Sequence, residues 1–432
     1  MRRKITDKLL EWKNKERDRM PLLVYGARQV GKTYIISKFG EENYKNVAYV
    51  NLELNQSVSS YFSENIEPER IIRYIEISTG ERIIPGETLI ILDEIQSCER
   101  ALTSLKYFQE MVPEYHIICA GSLLGVAINR DEYSFPVGKV DSINLYPFDF
   151  EEFLWALNED MLCNEIKSCF FDNLKLPTSL HNKSLDLYRL YLIIGGMPRS
   201  IIEYLHTKSL LTVPDVQNRI LNDYIADMAK YSSNTESVKI RAAFESIPVQ
   251  LAKENKKFQY KIAQRGGTAT IFGATIEWLR FAGVVLKCTK IEQAFMPISV
   301  YSDLSSFKLY MSDVGLLTMK SGISQQAILL SSEFNNNFIG AITENYVAQC
   351  FASKNYDLFY WASKNTAEVD FVMQLNDNII PVEVKSGANT KSRSLGIFIE
   401  KYKPSYSIRI SSKNFGFENN IKSVPLYAVF CI

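Results

Sequence analysis

Gly26-Ala27-Arg28-Gln29-Val30-Gly31-Lys32-Thr33 sets two glycines, an ammonium and a hydroxyl on one short loop. The pattern is G-x-x-x-x-G-K-[ST], and the chemistry it suits is the binding of a polyphosphate. Glycines let the backbone curl until successive N–H groups face the phosphates, and a helix starting there adds the positive end of its dipole. Lys32 supplies a point charge to the outer phosphates, and Thr33 offers a hydroxyl to Mg²⁺. An apolar strand (LLVY) leads into the loop and a periodic stretch (TYIISKF) leads out of it, so a chance Gly-rich turn is the weaker alternative.

A second constellation narrows the reaction. Leu89-Ile90-Ile91-Leu92 ends in Asp93 and Glu94, which places two carboxylates at the C-terminal end of a buried strand, where open sheets bind ligand. Asp93 can orient a water on Mg²⁺, and Glu94 can polarise the water that attacks the γ-phosphate. That is a hydrolase arrangement, and it disfavours a small-molecule kinase or a GTPase switch. A further strand, HIICAGS, ends at Ser122, which can read the γ-phosphate or place the lytic water; an ordinary turn serine is the bland alternative. Arg28, Arg130 and Arg199 are candidate γ-phosphate sensors, each otherwise a surface or lid arginine.

Near the C-terminus, Asp370, Glu383 and Lys385 lie in EVDFVMQLNDNIIPVEVK, two alternating segments joined by Asn-Asp-Asn. Glu383 and Lys385 share one face of their strand, and a hairpin turning near Asp377 brings Asp370 roughly opposite Glu383. Paired carboxylates can hold Mg²⁺ or Mn²⁺, with a lysine beside them to offset developing phosphate charge. Glu344, on the preceding helical stretch, is the candidate that completes the set. The bland alternative is an edge strand carrying a solvated ion pair.

The elements that must position these groups are legible in outline. MPLLVYG, NVAYVNLEL, TLIILDE and HIICAGS read as strands buried on both faces, separated by periodic helical stretches, which indicates a parallel α/β sheet over about 1–150. Helical spacing dominates 151–235, as in a helical lid. Over 236–330 two helices precede a strand pair, the order of a winged helix. KENKKFQYKIAQR (Lys253 to Arg265) there carries five basic residues with Phe258 and Tyr260, a candidate phosphate-contacting surface rather than a solvated loop. A polar break, SSEFNNN, introduces a last α/β unit over 331–432.

Composition sets the limits. Lys plus Arg equals Asp plus Glu, 49 against 49, so any nucleic-acid contact must come from a local patch. Seven dispersed cysteines without C-x-x-C point to reduced thiols rather than a zinc site or disulfide framework. Neither a signal peptide nor a stretch of the ~20 apolar residues a membrane span needs is visible, which leads to the expectation of a cytoplasmic protein without membrane contact.

Taken together, GARQVGKT, LIILDEIQ, CAGSLLG, LYPFDFEEF and GGMPRS resemble the bacterial and archaeal AAA-type ATPases of the STAND-related archaeal-ATPase group. FKLYMSDVGLL, GAITENYVAQCF and AEVDFV with IIPVEVKSG extend that resemblance over nearly the whole chain. SLLG through NRDEYSFPVGKV departs from the pattern, and Lys139 stands where an arginine is expected, so an arginine finger is left unassigned. Glu344, Asp370, Glu383 and Lys385 resemble the acidic helix position, the Asp and the E-x-K of the PD-(D/E)xK nuclease superfamily. The fold expected is α/β: an N-terminal P-loop AAA-type ATPase with helical lid, a winged-helix-like region and a restriction-endonuclease-like C-terminal domain. Two functions follow from it. One is an ATP-driven protein acting on DNA with a metal-dependent nuclease domain; the other is a nucleotide-switched regulator that binds DNA or a protein without cutting. A homo-oligomer and a separate protein partner both stay open.

Overall fold

All four apolar runs of the N-terminal half form strands: β1 (Leu22–Tyr25), β2 (Asn46–Asn51), β3 (Thr88–Asp93) and β4 (His116–Ala120). In the computed structural model, which describes residues 1–122, 125, 136–330, 337–363, 367–387 and 393–432, they lie with a fifth strand, β5 (Asp141–Asn144), in one parallel sheet ordered β2-β3-β4-β1-β5. β3 and β4 are buried along their whole length, as strands covered on both faces must be. β5 (Asp141–Asn144) has no apolar run to announce it; it is an edge strand, DSIN, with alternating burial, and it pairs with β1 from Leu22 opposite Asp141 to Tyr25 opposite Asn144. Helices Lys32–Asn43, Pro68–Thr79 and Glu99–Met111 connect the strands. Pro68 opens the second of these, and Gly80 closes it at φ +73°, a conformation that costs a Cβ-bearing residue energy.

The chain forms two units, one of Arg3–Tyr146 with Phe281–Gly283, the other of Met1–Arg2, Pro147–Arg280 and Val284–Ile432. The second unit opens with helices Phe150–Ala156, Asp160–Asp172, Thr178–Ile194, Pro198–Thr207 and Val213–Lys230. Capping boxes start two of its helices, Asp149 with Glu152 and Ser233 with Glu236. Helices Asn234–Leu251, Tyr260–Ala263 and Ala269–Phe281 then precede an antiparallel pair, β6 (Val285–Ile291) and β7 (Ser302–Met311).

That pair does not stand alone. The end of β6 also pairs in parallel with β8 (Phe359–Ala362), giving a four-stranded sheet β7-β6-β8-β9 in which β9 is Glu368–Val369. A five-stranded sheet, β10-β11-β12-β14-β13, contains β10 (Phe371–Leu375), β11 (Asn378–Val384), β12 (Ser407–Ser411), β13 (Gly416–Glu418) and β14 (Ile421–Pro425). Helix Asn337–Ser353 is buried on all sides through its middle turns. Its polar residues Thr343, Glu344, Asn345 and Gln349 therefore all need partners inside. Among the described residues no helix is long and apolar enough to cross a membrane.

Candidate functional site

Between β1 and helix Lys32–Asn43 the chain turns through three left-handed residues, Gly26 (φ +144°), Gln29 (φ +65°) and Gly31 (φ +93°). A Cβ on Gly26 would stand 2.2 Å from the carbonyl oxygen of Leu145, so the position is closed to any other residue. Gly31 occupies the N-cap without a side chain, and the helix N–H groups face the loop. Ala27 and Val30 are buried beneath the loop, while Arg28 is exposed. Lys32 is buried and donates to the carbonyls of Gly26 (2.8 Å) and Ala27 (2.9 Å), which keeps its ammonium at the mouth of the curl.

Asp93 ends β3 with its carboxylate fully engaged. Its Oδ2 accepts from Thr33 Oγ1 at 2.9 Å and from Tyr49 Oη at 2.8 Å, and its Oδ1 accepts from the Glu94 amide at 3.1 Å. The adjoining oxygens of Thr33 and Asp93 are the hard donors that Mg²⁺ takes, so the residues present fit that ion. Glu94 sits at φ +51°, a strained setting for a residue with a side chain, at the turn where β3 ends. Its Oε2 accepts from Gln96 Nε2 and, at 3.5 Å, from the amide of Ser122, which is buried just past β4. The fold thus brings the loop, Asp93, Glu94 and Ser122 to one end of the sheet. Arg199 is exposed in the other unit, at the start of helix Pro198–Thr207. Lys139 forms an ion pair with Glu110 at 3.1 Å, and Arg130 lies outside the described residues.

Residues 18–154 match the family described as AAA domain. The N-terminal unit is a P-loop AAA-type ATPase domain. Beyond the ATPase domain, residues 185–327 match a domain of unknown function (DUF8612) and residues 339–429 another (DUF4143). No curated protein matches the chain. Among solved structures, a Walker-type ATPase of Pyrococcus abyssi is similar at 17 % identity, over 74 % of this chain and 95 % of its own, with a TM-score of 0.45. The ORC2 protein of Aeropyrum pernix is similar at 12 % identity, over 78 % and 90 % of the two chains, with a TM-score of 0.35. At these values the likeness carries no argument about substrate or partner.

The C-terminal carboxylates form a second cluster, within the other unit. β10 and β11 pair from Phe371 opposite Val382 to Leu375 opposite Asn378, so the hairpin turns at Asn376-Asp377 as expected. EVDFVMQL is not one strand, however. β9 pairs with β8 and β10 with β11, and Asp370 is the bend between the two sheets. Its Oδ2 accepts from the Val384 amide at 2.8 Å in place of a ladder bond. Lys385 pairs with Glu383 Oε1 at 2.7 Å, while Glu383 Oε2 is buried with no partner among the described residues. Burial, with Glu344 and Glu383 nearby, pushes the Asp370 carboxyl up to about 8.

Glu344 joins this cluster but is not free to act as a metal ligand. Lys256 takes its Oε2, while Lys308 (2.9 Å) and the Tyr310 hydroxyl take its Oε1. Burial alone would raise the Glu344 carboxyl, yet Lys256 and Lys308 outweigh it and hold the group below the usual range. Lys308 is itself fully buried, bridges onward to Glu368 at 2.6 Å, and keeps its charge because those carboxylates outweigh desolvation. Among the described residues, no three His, Cys, Asp or Glu side chains form a metal-holding group. The set Glu344, Asp370 and Glu383 is thus divided: two lysines neutralise the first, Lys385 pairs with Glu383, and Asp370 accepts from the Val384 amide. Sequence reasoning missed Lys308, although a lysine inside the apolar run FKLYM carried the same signal that singled out Glu383.

One other expectation changes. Of the five basic residues from Lys253 to Arg265, Lys256 points inward to Glu344 and Lys257 donates to Ser306 at 2.8 Å. Phe258 is buried and stacks on Phe307, so only Lys253, Lys261 and Arg265 remain exposed. GGMPRS and LYPFDF meet YMSDVGLL in a structural lock: the Gly196 amide donates to buried Asp313 at 2.6 Å, and the Phe148 amide donates to Gly196 at 2.7 Å. A Cβ on Gly195 would lie 2.3 Å from Asp313 Oδ1, and one on Gly196 would lie 2.0 Å from the Phe148 carbonyl oxygen.

Proposed function

We propose that the chain couples ATP turnover to work on DNA, and that the cluster of Asp370, Glu383 and Lys385 cleaves it with the aid of a divalent ion. In the ATPase domain, Lys32 exchanges the carbonyls of Gly26 and Ala27 for the outer phosphates, and the amides of 26–33 hold them. Glu94 takes a proton from water as the water oxygen bonds to the γ-phosphorus and the bond to the ADP oxygen breaks. Ser122 fixes Glu94 through its amide. Thr33 and Asp93 are the residues that would hold Mg²⁺, which when bound offsets the charge on the phosphates.

One observation carries the nuclease reading: among the described residues Glu383 presents a buried oxygen without a hydrogen-bond partner beside Lys385, and burial, with Glu344 and Glu383 near it, drives the Asp370 carboxyl up. That Glu383 oxygen is a hard donor a cation can take, and Mg²⁺ or Mn²⁺ on Asp370 and Glu383 would act there as a Lewis acid on a phosphate oxygen. We read 151–235 as a helical lid, 236–330 as a winged-helix-like region that contacts DNA through Lys253, Lys261 and Arg265, and 331–432 as PD-(D/E)xK nuclease-like. A different observation favours the second reading. The neutralisation of Glu344 by Lys256 and Lys308 suits a nucleotide-switched regulator that binds DNA or a protein, alone or as a homo-oligomer, without cutting.

Circular, linear and single-stranded DNA, each with Mg²⁺ or Mn²⁺ and with or without ATP, separate the two. Cleavage lost in Asp370→Ala supports the nuclease, and its response to Lys32→Ala shows whether ATP controls it. No cleavage of any substrate while ATP hydrolysis persists moves the conclusion to the binding regulator. Glu94→Gln tests the ATPase assignment separately, by keeping ATP bound while turnover stops.

A further inference from the structure

Tyr49 lies on β2, the edge strand of the ATPase sheet, two residues before the position that faces Asp93. Ala48 and Val50 on either side are buried, so the alternation of the strand turns Tyr49 to the other face, where it is 39 % exposed. An edge-strand tyrosine normally leaves its hydroxyl in water. This one runs diagonally along the sheet, and its hydroxyl donates at 2.8 Å to Asp93 Oδ2, the oxygen that also accepts from Thr33. The Asp93 carboxylate thereby has three donors on two oxygens, one from β2, one from the helix that starts the phosphate loop, and one from its own turn. Asp93 itself is only 4 % exposed, so without Tyr49 no other described side chain donor to Oδ2 remains except Thr33.

We propose that Tyr49 is a positioning residue for the cation of the nucleotide site: its hydroxyl fixes the Asp93 carboxylate so that Oδ2 stays beside the Thr33 hydroxyl. A carboxylate held at Oδ2 by Thr33 alone, with only the longer bond from the Glu94 amide on Oδ1, is less firmly set against rotation about its last bond. One held from a neighbouring strand as well keeps a pre-set geometry, which is worth most to an ion that demands fixed oxygen positions. A ring present only to cover the sheet would do its work equally well without the hydroxyl. This inference rests on Thr33 and Asp93 being the cation donors.

The test uses the full chain with Mn²⁺ and a non-hydrolysable ATP analogue, reading free Mn²⁺ by electron paramagnetic resonance in wild type, Tyr49→Phe and Asp93→Asn. Removing a hydrogen bond to a charged group predicts Mn²⁺ affinity about tenfold weaker in Tyr49→Phe, with metal-free binding of the analogue and the melting temperature unchanged. Steady-state turnover should show the same shift in the Mg²⁺ requirement. Equal Mn²⁺ affinity in Tyr49→Phe and wild type, with loss in Asp93→Asn, overturns the role of Tyr49 while leaving Asp93 as a donor. Unchanged affinity in Asp93→Asn as well removes the assignment beneath it. Equal weakening of the analogue with and without metal also overturns the proposal, because the substitution then damages the site generally.

Discussion

Lys308→Met should destabilise the unit of Met1–Arg2, Pro147–Arg280 and Val284–Ile432 more than any comparable surface change. The lysine is fully buried and lies between Glu344 at 2.9 Å and Glu368 at 2.6 Å, with its ammonium 4.8 Å from the centre of the Tyr360 ring. Methionine fills similar volume but leaves Glu344, 2 % exposed, with one lysine instead of two. Breaking a buried pair by removing one partner costs about 3–5 kcal/mol, a large part of the roughly 5–15 kcal/mol that holds a domain folded. Lys308→Met with Glu344→Gln removes both charges together and should recover at least ~1 kcal/mol relative to the sum of the single changes. Urea unfolding followed by hydrogen exchange in helix Asn337–Ser353 reads this unit without mixing in the ATPase domain. The pH dependence has a defined sign. Glu344 is held below its unfolded value, so its contribution is present above about pH 4.3 and is lost as pH falls below it. The gap between wild type and Lys308→Met should therefore narrow on acidification. A loss below ~1 kcal/mol at pH 7 would refute the view that this pair is electrostatically closed.

Gly26→Ala should lower ATP affinity by at least about tenfold, measured with a fluorescent analogue, because φ +144° and a 2.2 Å approach to the Leu145 carbonyl oxygen force the loop to shift. Burial pushes the Asp313 carboxyl up to about 6, against the amides of Gly196, Leu316 and Gly315. A raised folded value means stability is fullest below the unfolded value of about 3.9 and declines as pH rises through about 6. Asp313→Asn should flatten that part of the slope in melts between pH 4 and 7. It should also lower the melting temperature throughout, since an amide nitrogen cannot accept from Gly196.

The phosphate loop and the Asp93-Glu94 pair were legible because their geometry is local. A loop between an adjacent strand and helix is set by its own glycines, and the end of a strand is set by where the apolar run stops. Asp370, Glu383 and Lys385 were legible for a related reason, since a two-residue hairpin fixes register over a few residues. β5 was not, because DSIN becomes a strand only when β1 offers it an open edge.

Other features depended on contacts distant in sequence. Glu344 read as a free acid on a helix. Only the fold brings Lys256 and Lys308 to it, from 88 and 36 residues away, and with them the charge balance that decides whether it can hold a metal. The basic run from Lys253 to Arg265 read as a surface for the same reason, yet packing draws two of its lysines inside. The sequence by itself determined which residue types stand on which strand and loop, because turn chemistry and hydrophobic alternation act over neighbours. Tertiary structure alone decided which buried charges meet, because the desolvation that makes a charge demand a partner exists only once the chain has closed around it.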